Sequence, residues 1–77
     1  MVAGTYVGPG NDNYIELRAD GTYSYSKFTG MKPLTGKYEV SGSHLILKSD
    51  NTYDPVAYAI TLEGDAFTFN NERFVKR

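Results

Sequence analysis

One histidine, no cysteine and seven tyrosines set the limits on the chemistry this sequence can do. Without cysteine, disulfides, thiolate metal sites and cysteine nucleophiles are excluded. His44 alternates with Ile46 and Lys48, opposite the face of Leu45 and Leu47, and it directly follows a turn. It reads as a solvated side chain. A hydrolytic triad needs a base within reach of a nucleophile and an orienting partner, and one outward histidine does not supply that. The carboxylates Asp12, Asp20, Asp50, Asp54, Glu63 and Asp65 lie at turns, where acidic side chains serve local backbone hydrogen bonds. No spacing aims two of them at a common cleft, as paired-carboxylate catalysis requires. Asn11-Asp12-Asn13 and Asp50-Asn51-Thr52-Tyr53-Asp54 offer oxygen ligands of the kind calcium takes, but neither completes a calcium loop. The expectation is therefore no catalytic residue, no metal and no cofactor, and a protein that is not an enzyme.

Binding is the remaining chemistry, and two features bear on it. Tyr23, Tyr25, Tyr38 and Tyr58 alternate in phase with aliphatic neighbours, so they read first as core. The same inward positions line the ligand cavity of a wide barrel. Short strands with large inward side chains should fill a small interior, so a roomy cavity is not expected. Tyrosine hydroxyls at a barrel mouth could still meet a small polar ligand. The second feature is segregated charge. Residues 21–38 hold Lys27, Lys32 and Lys37 and no acid, whereas residues 49–72 hold five acids and no base. Phe28, Met31 and Leu34 fall in the same basic stretch, and Phe28 is out of phase with Tyr23 and Tyr25. Either it faces outward or the strand is bulged there. An apolar loop rimmed by lysine is a reasonable contact surface, so the candidate interaction surface is Lys27, Phe28, Met31, Lys32, Leu34 and Lys37. The alternative is that Met31 and Leu34 fold over the open end and plug it.

The elements that must position these residues are strands. Period-2 alternation dominates, as in Val56-Ala57-Tyr58-Ala59-Ile60-Thr61-Leu62 and Thr22-Tyr23-Ser24-Tyr25-Ser26, and no stretch shows a helical period. Asp20-Gly21, Gly42-Ser43 and Gly64-Asp65 recur at 22-residue spacing (20, 42, 64) and supply the positive φ that tight hairpins demand. Asn70-Asn71 is a fourth turn. Pro9, Pro33 and Pro55 sit in loops, where a missing N–H harms no ladder. Strands are expected at 4–8, 14–18, 22–28, 35–40, 44–48, 56–62, 66–69 and 72–76, joined by short links that make sequence neighbours antiparallel neighbours. The inward set is Ile15, Leu17, Tyr23, Tyr25, Tyr38, Val40, Leu45, Leu47, Tyr58, Ile60, Leu62, Phe67, Phe69 and Phe74. The fold class is all-β: a small closed antiparallel meander barrel of about eight short strands, which also removes exposed edges. An open or two-layered sheet is its rival.

Seventy-seven residues make a single domain spanning 1–77, and a chain this small must lean on burial of its aromatics. A net charge of −1 and a pI near 5.7 give no support to nucleic-acid binding, and no apolar run reaches the roughly 20 residues of a spanning helix. No signal segment precedes the patterned sequence, which reads as an excised domain or a mature region.

Gly4-Thr5-Tyr6, Leu17-Arg18-Ala19-Asp20-Gly21-Thr22-Tyr23, Gly36-Lys37-Tyr38-Glu39-Val40 running into Ser41-Gly42-Ser43-His44-Leu45-Ile46-Leu47, and the ending Phe74-Val75-Lys76-Arg77 follow one pattern. It resembles the small lipocalin-like β-barrel domains of uncharacterised prokaryotic envelope proteins and lipoproteins. Tyr6 stands where that family more often has Trp, and Leu17 where it often has Phe. The resemblance implies the barrel and an extracytoplasmic location, and it brings no catalytic residues. The leading functional reading is a non-enzymatic binding or protein-interaction module. A lipocalin-like carrier of a small ligand and a proteinaceous hydrolase inhibitor are the alternatives, and the oligomeric state stays open. An exposed apolar loop would favour the first and third, an empty apolar cavity the second.

Overall fold

The computed structural model describes residues 2–27, 32–50 and 56–77. Eight strands follow in chain order: β1 (Gly4–Val7), β2 (Tyr14–Leu17), β3 (Thr22–Ser26), β4 (Leu34–Ser41), β5 (His44–Ser49), β6 (Ala57–Glu63), β7 (Ala66–Phe69) and β8 (Glu72–Lys76). Each pairs antiparallel with the next, and β8 returns to β1 through Tyr6↔Lys76 and Val7↔Val75, closing the barrel. Helical structure among the described residues amounts to one 3₁₀ turn, Pro9–Asn11. The expected meander is what forms.

The turns work as their residues dictate. Ser41 pairs with His44 across Gly42-Ser43, and Glu63 with Ala66 across Gly64-Asp65. The first loop residue is a glycine at positive φ in both (59° and 65°). Asn70 and Asn71 both adopt positive φ (55° and 63°), the requirement of a two-residue type I′ loop. The β2–β3 turn is held by the Asp20 carboxylate, which accepts from the Thr22 hydroxyl (2.6 Å) and the Thr22 N–H (3.0 Å). Those two bonds, the hydroxyl's first, hold the Asp20 carboxyl below its ordinary pKa.

In a meander the connections alternate ends. The β2–β3, β4–β5 and β6–β7 turns therefore share one end, the hairpin end. The other end, the mouth, carries the links β1–β2, β3–β4, β5–β6 and β7–β8. The core fills the hairpin end and the waist. Tyr6, Ile15, Leu17, Leu45, Leu47, Phe67 and Phe74 are fully buried. Phe67 stacks on Phe74 (centroids 5.6 Å) and tilts against Tyr6 (4.9 Å). Tyr6 is buried because its hydroxyl is satisfied, donating to the Val2 carbonyl at 2.7 Å. Tyr6 and Ala66 belong to the core although the inward set above omitted them.

Two members of that set are not inside. Val40 is 44% exposed, because β3 stops pairing with β4 at Thr22↔Lys37 and the tip of the β4–β5 hairpin overhangs the barrel. Tyr58 is 43% exposed for a reason that matters to function. The β6–β7 ladder contains only Leu62↔Phe67 and Glu63↔Ala66, while β6 continues back to Ala57 along β5. Beyond Leu62 the barrel wall parts. Tyr38, Leu62 and Phe69 are half-buried at the margin of the core.

Candidate functional site

The parting of β6 from β7 produces a cavity of about 670 Å³ that opens at the mouth. Its walls are the inward residues of β3, β5, β6 and β7: Tyr23 and Tyr25, Leu47, Tyr58 and Ile60, and Phe69, with Leu34 of β4 at the rim. The expectation that large side chains fill the interior holds at the hairpin end and fails here. The physical reason is divergence rather than residue size. Strands that separate carry their inward side chains apart with them.

Three aromatics define the inner wall. Phe69 meets Tyr25 edge-on at 5.5 Å and Tyr58 edge-on at 5.3 Å, the geometry that ring quadrupoles favour. Tyr25 reaches on to Phe74, 6.2 Å away, so the wall is continuous with the core below. One side of the mouth is closed. The Gly8 N–H donates to the Asn13 carbonyl (2.8 Å), and the buried Asn13 amide donates to Glu72 Oε2 (2.7 Å). Gly8 lies so close to Phe74 that an added Cβ would stand 3.1 Å from the ring.

A glycine lets β4 pass close to Tyr23 and β5. Gly36 lies opposite Tyr23 on β3 and Ser49 on β5. A Cβ there would strike the Lys48 carbonyl oxygen and stand 2.7 Å from the Tyr23 ring. A glycine inside a strand often marks such close approach, and that signal was available in Leu34-Thr35-Gly36-Lys37.

The tyrosine hydroxyls differ in a telling way. That of Tyr38 donates to the Arg18 carbonyl at 2.6 Å, and that of Tyr6 is satisfied as described. The Tyr25 hydroxyl is buried, the residue only 9% exposed, and has no hydrogen-bond partner among the described residues. The Asn70 side chain is close enough to donate toward it and favour its ionised form, but outside the geometry of a full hydrogen bond. Burial first, then the Glu72 charge, pushes the Tyr25 pKa up. Burial first, then Asp50, does the same for Tyr23. Both phenols are neutral donors at ordinary pH.

Of the interaction-surface residues, Lys27, Lys32 and Leu34 gather at the mouth, where they line a smaller pocket of about 220 Å³ with Tyr25 and Asn70. Leu34 is 60% exposed, so it rims the cavity and does not plug it. Lys37 stands apart, pairing with Thr22 and Lys48 on the outer face. Phe28 and Met31 lie outside the described residues, as does most of the acidic loop 50–54. His44 is exposed at the opposite end, beside the Gly42-Ser43 turn. Among the described residues no group of His, Asp or Glu is placed to hold a metal, and no helix is long and apolar enough to cross a membrane.

An eight-stranded meander closed at one end by packed aromatics and open at the other is the architecture of a lipocalin-like barrel. A family model described as a lipocalin-like domain matches residues 2–69, and the chain belongs to that family. No curated protein and no solved structure matches it.

Proposed function

We propose that this domain binds a small, largely apolar ligand in the mouth cavity and performs no catalysis on it. The observation that carries this reading is the Tyr25 hydroxyl, a buried donor on an aromatic wall with no full hydrogen bond among the described residues. Leaving a buried polar group unsatisfied costs about 1–3 kcal/mol, and a ligand acceptor would recover it. Apolar walls with a few aimed polar groups are the usual make-up of a ligand pocket. The one histidine, exposed at the far end, gives the cavity no base.

The test is a residue-resolved NMR titration with decanol. Amide shifts should concentrate at Tyr23, Tyr25, Leu47, Ile60 and Thr68–Asn70. Shifts confined to the hairpin end, or none at millimolar decanol, would overturn the reading.

A second reading, docking of a protein partner on the basic β3–β4 connection, is supported by the exposure of Leu34 beside Lys27 and Lys32. An acidic partner would be steered there at low salt.

A further inference from the structure

The parting of β6 from β7 exposes main chain as well as side chains. Successive residues of a strand turn their N–H and C=O groups to opposite sides. The Val56 carbonyl accepts from the Ser49 N–H (2.9 Å), and the Leu62 N–H donates to the Ser43 carbonyl (2.7 Å). The even-numbered residues of β6 therefore face β5, and Ala57, Ala59 and Thr61 face the side of β7. The β6–β7 ladder ends at Leu62↔Phe67. The main-chain groups of Ala57 and Ala59 lie beyond that last rung, exposed and without a hydrogen-bond partner among the described residues.

Open edges are normally guarded by charge, proline or a bulge. The overhanging end of β4 follows that rule, since beyond its last pairing with β3 it carries Glu39, which holds Lys48 of β5 at 3.0 Å. Residues 56–62 do not follow it. They include no charge and no proline, and Val, Tyr, Ile and Thr are the types that favour strands. The two faces of this edge also differ. Tyr58 and Ile60 line the chamber, while Ala57, Ala59 and Thr61 form an exposed outer face whose small side chains leave room for another strand.

We propose that β6 accepts an extended peptide segment of a partner protein as an added antiparallel strand, in the place beside residues 57–61 that β7 leaves. Main-chain bonds to Ala57 and Ala59 supply affinity, and alternate side chains supply selectivity. Peptide residues opposite Tyr58 and Ile60 fall on the chamber side and must be apolar. Those opposite Ala57, Ala59 and Thr61 stay in solvent and can be polar. The edge is about 17 Å long at the usual rise of a strand, enough for about five peptide residues. Thr68, Phe69 and Asn70 still border the gap on its far side, which suits a lone strand better than the flank of a second barrel. This edge is independent of the small-ligand reading, because it needs the main chain of β6 and not the Tyr25 hydroxyl.

The probe is a blocked peptide of alternating valine and threonine with a lysine at each end, titrated into the intact chain and followed by amide hydrogen exchange. Exchange at Ala57 and Ala59 should slow about tenfold or more, while Tyr58 and Ile60, already bonded to β5, change little. A peptide methylated on its threonine nitrogens keeps every side chain and loses the donors that face β6, so its affinity should fall about tenfold. Ala59→Pro should weaken binding similarly from the protein side, since the Ala59 N–H takes no part in the β5 ladder; the methylated peptide decides the matter if that variant folds poorly. Equal binding of methylated and unmethylated peptide, protection away from β6, or no binding at millimolar peptide would overturn the proposal. Protection of Ala57 and Ala59 that rises with protein concentration alone would assign the edge to a second copy and overturn it as well. None of these outcomes touches the small-ligand reading, which stands or falls on the decanol titration.

Discussion

The two ends of this barrel are built from the same residue types and reach opposite outcomes. At the hairpin end Tyr6, Leu17, Leu45 and Phe67 are sealed, and the Tyr6 hydroxyl has its acceptor. At the mouth Tyr25, Tyr58, Leu34 and Phe69 border a cleft, and the Tyr25 hydroxyl has no full hydrogen bond among the described residues. Residue identity does not separate them. Pairing does, because β6 and β7 stay together only next to their turn. Where the ladder runs, side chains interdigitate and stability accrues. Where it lapses, the same side chains become a surface for something else.

Truncation should expose this asymmetry most strongly. Phe67→Ala should cost about 3–5 kcal/mol in urea unfolding, as buried aromatic truncations do. Tyr58→Ala, at a residue 43% exposed with one edge-on ring contact, should cost less, about 1–2 kcal/mol. Similar losses at both positions would erase the distinction between the ends. Gly36→Ala comes next. Overpacking costs about 1–3 kcal/mol, and collision with the Lys48 carbonyl, a backbone atom, puts this change at the upper end. A neutral result would mean that β4 and β5 can part without penalty.

The tyrosines sharpen the comparison further. Tyr6→Phe removes a made hydrogen bond and should cost about 1 kcal/mol, whereas Tyr25→Phe removes an unmet donor and should be neutral or slightly stabilising. Denaturation midpoints of the two variants decide it, and a reversed order would contradict the assignment. The smallest effects concern pH. Tyr6, Tyr23 and Tyr25 all have raised pKa values, each chiefly through burial. The folded state then holds these protons more tightly than the unfolded chain does. Their contribution is fully present below the ordinary tyrosine value of about 10 and is lost as pH climbs through the raised values. Asp20 has the opposite sign. Its lowered pKa supports stability above the ordinary carboxylate range, and that support fades as pH falls through the lowered value. Unfolding measured at stepped pH should show the alkaline loss and only a slight acidic one.

Much of the scaffold was legible in the chain. Alternation in Thr22–Ser26 and Ala66–Phe69 told which residues face inward, and the turns at 20, 42 and 64 set the hairpins. Alternation reports a face, however, and not whether anything covers it. Val40 and Tyr58 both point inward by phase, as their partners Leu45 and Leu47 do. Each is exposed because pairing with a neighbouring strand has lapsed. Strand divergence is a tertiary event with no local period, so the cavity was not readable from Val56–Leu62. The basic residues Lys27 and Lys32 were visible as a charge bias. Their meeting with Tyr25 and Asn70 at one junction depends on β3 and β7 lying on facing sides of the mouth, which only the closed barrel supplies.

The central claim is that the Tyr25 hydroxyl is held in reserve for a ligand and takes no part in holding the fold. The Tyr25→Phe variant separates those roles when decanol affinity and unfolding free energy are measured on the same sample. Affinity should fall about two- to tenfold, the worth of one ordinary hydrogen bond of about 0.5–1.5 kcal/mol, while unfolding free energy stays level or rises slightly. Unchanged affinity, or a loss of affinity matched by a loss of stability, would contradict the account.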